Sequence, residues 1–145
     1  MTEIRNKRAF FDYEILERVT AGIVLLGPEV KSIRAGRGSL ASAFVSVRNG
    51  EAFIKNFQVP KWEYAQYEVD PMRDKKLLLK KREINKLEKK LEEQGLTVVP
   101  LKLFFTRGYA KIELGVARGK KQYDKRATIK KRDEERRIAG KLRKY

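Results

Sequence analysis

The sequence contains no cysteine and no histidine, and these absences exclude several classes of protein. Without cysteine there is no disulfide framework and no thiolate site. Without histidine the chain lacks the commonest general base and the commonest metal ligand. No apolar run approaches the roughly 20 residues that span a bilayer, and residues 1–8 lack the apolar core of a signal peptide. We therefore expect a cytoplasmic protein that is not inserted in a membrane.

Other groups that could catalyse a reaction are also scarce. The serines lie in no recognisable nucleophile motif, and the sequence has no P-loop. Its carboxylates are scattered among cations, with no clustered pair for acid–base chemistry or for holding magnesium. A Gly-x-Gly at 36–38 follows a predicted helix, which favours a capping loop over a dinucleotide site. We predict that the chain is not an enzyme and binds no metal or cofactor.

What the sequence has in excess is positive charge, +16 over 145 residues. Residues 119–145 carry twelve Lys/Arg and four Asp/Glu, a net charge of +8, and residues 1–118 carry 23 and 15, again +8. The final segment has too few large apolar residues to offset the entropy of ordering it. We predict a folded body, 1–118, and a basic tail, 119–145, that is disordered when free and becomes helical on a polyanion. Nucleic acid is the first candidate partner, and an anionic membrane the second.

The body shows the patterns of antiparallel β structure. Apolar and polar residues alternate from Phe11 to Val19, and a short apolar run continues to Leu26 after a bend at Gly22. Two hairpins are predicted, one around Asn49-Gly50, a strong turn signal, and one around Arg107-Gly108. The paired segments are 43–48 with 51–59 and 97–106 with 109–117, where Pro100 indicates an edge or a bulge.

Two helices are predicted between these strands. Residues 29–35 follow Gly27-Pro28 and form a short helix, and a leucine stripe from Asp70 or Asp74 to about Gln94 predicts a long one. The other face of the long helix carries eight Lys/Arg, which suits either a solvated surface or an RNA contact. The fold class is mainly β with helices: an OB-like closed antiparallel barrel of about six strands, one short and one long helix, and the basic tail. A helix-flanked open sheet is the alternative.

The loop predicted between Pro60 and Pro71 holds three aromatic residues, Trp62, Tyr64 and Tyr67. Interleaved with a lysine, they could stack on the bases of an RNA. Alternatively, they cap one end of the hydrophobic core. The sequence leaves both interpretations open.

Short segments along the chain form a specific pattern when their order and spacing are taken together. They are Asn6-Lys7-Arg8-Ala9, Ala21-Gly22-Ile23, Glu29-Val30-Lys31-Ser32-Ile33-Arg34-Ala35-Gly36, Asp70-Pro71 with Lys76-Leu77-Leu78-Leu79, Val99-Pro100-Leu101-Lys102, and Gly119-Lys120-Lys121-Gln122-Tyr123-Asp124-Lys125-Arg126. This pattern resembles the small protein B family, bacterial proteins that bind transfer-messenger RNA. The resemblance covers nearly the whole chain from Asn6 onward. It departs at Lys80, where many relatives carry histidine, and at Pro28, where threonine or tryptophan is more usual.

The resemblance implies a function in ribosome rescue. The barrel would bind the tRNA-like domain of transfer-messenger RNA and help to deliver it to ribosomes stalled on messages without a stop codon. The GTP-bound elongation factor that carries aminoacyl-tRNAs would be an indirect partner. The tail would enter the vacant decoding site and mRNA channel and fold there as a helix, so that the nascent chain is tagged for degradation.

The resemblance also implies two sets of binding residues. On the body, the residues that face the RNA or shape that face are Asn6, Lys7, Arg8, Glu29, Lys31, Ser32, Arg34 and Asn56. For the carboxylate at 29 we favour a role in holding Lys31 or Arg34 in place over a direct contact with RNA. In the tail, the ribosome-binding residues are Lys120, Lys121, Tyr123, Asp124, Lys125, Arg126, Lys130, Lys131 and Arg132. There, Tyr123 could stack on a base, and Asp124 could cap the helix.

Two other functions fit the composition. A structural or assembly ribosomal protein would also combine a small basic barrel with a basic extension, but it would be stoichiometric on all ribosomes. A general single-strand-binding barrel would bind unstructured RNA without regard to shape. In each case we expect a monomer.

Overall fold

An antiparallel sheet of seven strands carries three helices in the computed structural model, which describes residues 3–119. The strands are β1 (Glu3–Arg5), β2 (Tyr13–Ile23), β3 (Phe44–Arg48), β4 (Glu51–Lys55), β5 (Lys75–Leu78), β6 (Leu96–Thr106) and β7 (Tyr109–Gly119). The helices are α1 (Lys7–Asp12), α2 (Gly27–Arg34) and α3 (Lys81–Glu92). The mainly β fold class with helices is therefore confirmed, with one strand and one helix more than predicted.

The prediction of a closed barrel is wrong. The strand order is β1-β6-β7-β2-β5-β4-β3, so β1 and β3 are the two edges of an open sheet. Closing this sheet would require its two edge strands, β1 and β3, to pair with each other. Among residues 3–119, β1 pairs with β6, where Ile4 lies opposite Leu103, and β3 pairs with β4, but β1 and β3 do not pair.

Both predicted hairpins are present, with tight turns of left-handed backbone. Asn49 and Gly50 have φ angles of 54° and 76°, and Arg107 and Gly108 have 51° and 82°. These positive values are typical of the turns that match the twist of paired strands. The register of β6 against β7 shifts just after Pro100, which confirms the predicted bulge.

The core lies between the inner face of the sheet and helices α2 and α3. Ile33 of α2 and Leu87 of α3 are buried there against inward-facing residues of the strands, such as Ile54, Leu103 and Ile112. Burial of these side chains is the main source of stability for a sheet that would otherwise expose one apolar face.

The long helix predicted to start at Asp70 or Asp74 is wrong in its first part. Residues 75–78 form β5, and the helix starts only at Lys81. In β5 the side chains of Lys75 and Leu77 are buried and the alternate ones are exposed, which is the period of a strand. Leu77 pairs with residues of both β2 and β4, so the pairing of distant strands overrides the leucine pattern.

Strand β2, predicted to begin at Phe11, begins two residues later. Residues 7–12 form α1, and β2 starts at Tyr13. Phe11 is exposed and lies outside the strand, but the predicted alternation is confirmed from Tyr13 onward, where Tyr13, Ile15 and Val19 are partly buried and the residues after each of them are exposed. The irregularity in β2 lies between Ile15 and Glu17, and the strand passes Gly22 and ends at Ile23.

Candidate nucleic-acid interface

Helix α2 presents two cations to solvent while its other side is buried. Lys31 and Arg34 are exposed, whereas Glu29, Ser32 and Ile33 are buried. The Glu29 carboxylate accepts a hydrogen bond of 2.8 Å from the backbone N–H of residue 26, which caps the start of the helix. The guanidinium of Arg34 lies 4.3 Å from the centre of a phenylalanine ring, at Phe105, which limits its freedom.

The carboxylate of Glu29 is buried and paired with a cation from another element. The side chain is 2% exposed, and Arg73 binds both of its oxygens, Nη2 to Oε1 at 2.7 Å and Nε to Oε2 at 3.0 Å. This hydrogen bonding raises the pKa of Arg73. Glu29 thus lies buried beneath the exposed face of α2. The cations that lie beside it are Arg73 and Lys75, in place of the predicted Lys31 or Arg34.

Lys75 is a buried lysine with a defined set of partners. Its side chain is 0% exposed, its Nζ donates to the backbone oxygen of Phe57 at 2.7 Å, and Glu29 lies 4.0 Å away. Burial lowers the pKa of Lys75 to about 8, although the neighbouring Glu29 acts in the opposite direction. The bond to Phe57 holds the backbone next to Asn56, which has a φ of 60° and an exposed side chain.

The sequence analysis did not identify Arg73 and Lys75 as the cations that lie beside Glu29. Arg73 also donates to the backbone oxygens of Val24 and Asp74, at 3.3 and 3.2 Å. Together with Glu29, the two cations therefore connect α2, the chain after β2, the chain after β4, and β5. Both lie in a segment rich in basic residues, and no local signal distinguishes a buried lysine from its solvated neighbours.

Two more of the predicted site residues are buried and make structural hydrogen bonds. The Ser32 hydroxyl donates to the backbone oxygen of Pro60 at 2.8 Å. This bond attaches α2 to the start of the loop at 60–71, which holds Trp62, Tyr64 and Tyr67 and is called the aromatic loop below. The Asn6 amide donates to the oxygens of Leu40 and Pro100, at 3.0 and 2.8 Å, and its Oδ1 accepts from the N–H of Ala9 at 3.1 Å. Asn6 therefore caps α1 and joins three separate segments.

The cations at 7 and 8 lie on a different face of the sheet from those of α2. Ala9 of α1 packs in a small apolar cluster with Val99, whereas the preceding Val98 packs in the main core with Ile33 of α2. Successive residues of a strand point to opposite faces. Lys7 and Arg8 are thus exposed on the side away from α2, where Arg8 pairs with an aspartate of α1 at 3.0 Å.

The aromatic loop lies beside the N-terminal turn of α2. Tyr64 and Tyr67 are 75% and 53% exposed, so the interpretation that the three aromatic residues cap the core is wrong for these two. Trp62 is half-buried, and its ring meets that of Tyr64 edge-on at 5.8 Å between centres. A cleft separates this loop from Pro28 and Glu29.

The comparisons with known proteins agree with this geometry and with the resemblance. The family model described as SmpB protein matches residues 3–144. The chain belongs to the SmpB family. An SsrA-binding protein of Mesoplasma florum is 51% identical over 142 residues, which are 97% of this chain and 93% of that protein. An SsrA-binding protein of Streptococcus pyogenes serotype M3 is 49% identical over 97% of this chain and 92% of its own.

A solved structure is similar to this SmpB-family chain along almost its whole length. It is described as "tmRNA-SmpB: a journey to the center of the bacterial ribosome". The TM-score is 0.74 at 48% sequence identity, and the match covers 96% of this chain and 98% of the other.

The tail predictions lie outside the described residues, although the SmpB match extends across most of the tail. These predictions concern Lys120, Lys121, Tyr123, Asp124, Lys125, Arg126, Lys130, Lys131 and Arg132. Among residues 3–119, no helix is both long enough and apolar enough to cross a membrane. In that same part of the chain, no group of three or more acidic side chains is placed to hold a metal ion.

Proposed function

We propose that this chain binds the tRNA-like domain of transfer-messenger RNA and delivers it to stalled ribosomes for trans-translation. The observation that carries the proposal is the near-complete match, at 48% identity, to a structure described as tmRNA–SmpB on the bacterial ribosome. The chain is accordingly an RNA-binding protein and not an enzyme. The named relatives are SsrA-binding proteins, which favours this function over that of a structural ribosomal protein.

On the body, we assign the RNA contacts to the exposed residues of the predicted set. Lys31 and Arg34 lie on the exposed side of α2, where their charges can attract phosphates, and Asn56 lies exposed after β4. Glu29 and Ser32 act indirectly because they are buried beneath this surface. Asn6 likewise supports α1, whose cations Lys7 and Arg8 offer a second contact on the other side of the sheet.

For the tail, we propose the role that the resemblance implies. A segment with a net charge of +8 suits a channel whose walls are RNA phosphates. There it would compete with mRNA for the same space and would fold only where the channel is empty. Lys120, Lys121, Lys125 and Arg126 would contact ribosomal RNA, with Tyr123 stacked on a base. The protein acts as a cytoplasmic monomer in this scheme, and the GTP-bound elongation factor is an indirect partner.

Competitive binding tests the body's part of the proposal. The purified chain is offered a folded tRNA-like RNA and an unstructured RNA of equal length, at fixed salt. We expect a preference of about a hundredfold or more for the folded RNA, because specific nucleic-acid binding exceeds the non-specific kind by large factors. Equal affinities would contradict a shape-reading body and would favour a general single-strand binder.

Removal of residues 119–145 tests the division of labour between body and tail. We expect the shortened chain to keep most of its affinity for the folded RNA but to lose tagging in a reconstituted translation system. A matched variant, with Lys130, Lys131 and Arg132 changed to alanine, controls for loss of charge without loss of length. If binding and tagging fell to the same extent, the two-part division would be refuted.

A further inference from the structure

The aromatic loop leaves much of its aromatic surface exposed to water. Tyr64 and Tyr67 are mostly solvent-exposed, and Trp62 between β4 and β5 is only half-buried. Grouped aromatic side chains at a surface mark an interaction site, because exposure of apolar area to water is unfavourable. The loop does not fill the core, so its aromatic residues are available for a partner.

The loop forms one wall of a cleft whose shape is already fixed. The hydrogen bond from the N–H of Val59 to the oxygen of Pro71, at 2.9 Å, closes the base of the loop. The ion pair between Lys61 and Glu68, at 2.5 Å, joins its two sides, and Ser32 attaches it to α2. The cleft does not have to form on binding, which lowers the entropic cost of occupying it.

The size of the cleft points to a single planar group. Its volume is about 230 Å³, and its walls include Pro28 of α2 together with Trp62 and Tyr67 of the loop. Pockets that enclose a whole small molecule measure about 300–1,000 Å³. A space below that range, with a proline on one side and aromatic rings on the other, suits one flat ring system.

The charges around the cleft decide which part of an RNA could enter. Three carboxylates line it, at Glu29, Glu63 and Glu68, against one cation, Lys61, which pairs with Glu68. The excess of negative charge would repel a phosphate. The carboxylates can, however, accept hydrogen bonds from the amino group of a base. The cations Lys31 and Arg34 lie outside, on the exposed side of α2. A nucleotide would therefore place its base in the cleft and its phosphates toward α2.

We propose that this cleft binds one unpaired nucleobase of the RNA that the body recognises, stacked on the ring of Tyr67 or Trp62. The inference rests on the proposed function and adds to it a site for an extruded base. It assigns the aromatic loop a role in recognising an RNA with an unpaired, accessible nucleotide.

Fluorescence provides a direct test because Trp62 is the one tryptophan of the chain. The full-length protein is titrated with the folded tRNA-like RNA while tryptophan emission is recorded, and binding is measured in parallel by RNA anisotropy. We expect emission to be quenched by stacking, with the same Kd as the anisotropy gives. RNA binding without any change in emission would count against the inference.

Substitution at Tyr67 separates stacking from folding effects. We expect Tyr67→Ala to weaken binding of the folded RNA about 5- to 150-fold, which is the usual effect of losing one base–aromatic stack. Tyr67→Phe should bind as the wild type does, since the ring remains. The control is Tyr109→Ala, which removes a tyrosine that is 71% exposed at the start of β7 and should leave affinity unchanged.

The salt dependence and the controls distinguish this inference from the function on which it rests. The stacking of a base on the Tyr67 ring involves no charge. Its loss should therefore leave the slope of log affinity against log salt concentration unchanged, whereas loss of a phosphate contact would reduce the magnitude of that slope. If Tyr67→Ala bound as the wild type does and Trp62 emission did not change, the base site alone would be refuted. If the wild-type chain did not prefer the folded RNA, both proposals would fall.

Discussion

The buried Lys75 should make the stability of the protein depend on pH in the alkaline range. Its pKa is lowered from 10.5 to about 8 by burial, with Glu29, Asp70 and Asp74 opposing that shift and Arg73 adding to it. Between pH 8 and 10.5 the unfolded chain holds this proton more tightly than the folded chain does. The free energy of unfolding should therefore rise with pH across that interval.

The size of this effect follows from the difference between the two pKa values. At about 1.4 kcal/mol per pH unit, the difference between 10.5 and about 8 is worth about 3 kcal/mol. Below pH 8 the lysine is charged in both states, so the whole cost of burying the charge is present. Above pH 10.5 it is neutral in both, and the cost is absent.

The assay is urea unfolding of the wild type and Lys75→Met at several pH values from 7.5 to 10.5. Other groups titrate in both proteins and cancel in the difference between their free energies of unfolding. We expect that difference to shift in favour of the wild type by about 3 kcal/mol over the interval. The control is Lys76→Met, which changes the adjacent, exposed lysine that pairs with Glu51.

The free energies of unfolding of the wild type and Lys76→Met should differ by no more than about 0.5 kcal/mol at all pH values, as for most surface substitutions. The reasoning would be refuted if the difference in free energy of unfolding between the wild type and Lys75→Met did not change with pH. Such a result would mean that the lysine is as well solvated in the folded state as in the unfolded one, or that Glu29 fully compensates its charge.

Three further predictions concern packing, charge coupling and RNA binding. Asn6→Ala should lower the free energy of unfolding by about 3 kcal/mol, because it removes a helix cap and the hydrogen bonds to two backbone carbonyls. The control is Asn85→Ala, on the exposed face of α3, which should change the free energy of unfolding by less than about 0.5 kcal/mol. In a double-mutant cycle of Glu29→Gln and Arg73→Met, the free energies of unfolding should show a coupling of about 2 kcal/mol. Additive effects of the two substitutions would contradict a buried ion pair. Affinity for the folded RNA should fall with salt with a log–log slope of magnitude about 3 or more, and a flat response would show that phosphate contacts are not dominant.

The parts of the fold that were predicted correctly depend on local signals. The Asn49-Gly50 and Arg107-Gly108 turns fix the pairing of their flanking strands within a few residues, and the bulge at Pro100 follows from its missing N–H. Helix α2 was also found, because Pro28 and Glu29 favour its first turn. These features need no knowledge of the rest of the chain.

The errors in the fold have non-local causes. Strand β5 was predicted as helix because Leu77 falls on a helical stripe, and its true partners lie on β2 and β4. Strand β1 was not predicted because it pairs with β6, with Ile4 opposite Leu103 about 100 residues away, and no local pattern indicates that pairing. Six-residue α1 depends on the cap by Asn6.

The segments that form the candidate site were predicted better than the role of each residue within them. The motif around α2 was identified, but which of its polar residues would be buried could not be read from the pattern. Glu29 and Ser32 face inward because Arg73 and Pro60 provide partners from other elements. Lys75 was counted among the eight cations on the basic face of the long helix, as a residue that faces solvent or RNA, since a lysine in the core contradicts the usual preference of that residue.

The last strand has a consequence for how the two halves of the chain act together. The final residues of β7 pair with the first residues of β2, Gly119 opposite Tyr13, so the tail departs from a fixed point on the body. An extended chain adds about 3.5 Å per residue, so the 26 residues that follow can reach tens of ångströms. Under the proposed function, binding of the tail at the ribosome would be an intramolecular event once the body holds its RNA there. Its effective concentration is then set by the tether, and weak contacts by individual tail residues can suffice.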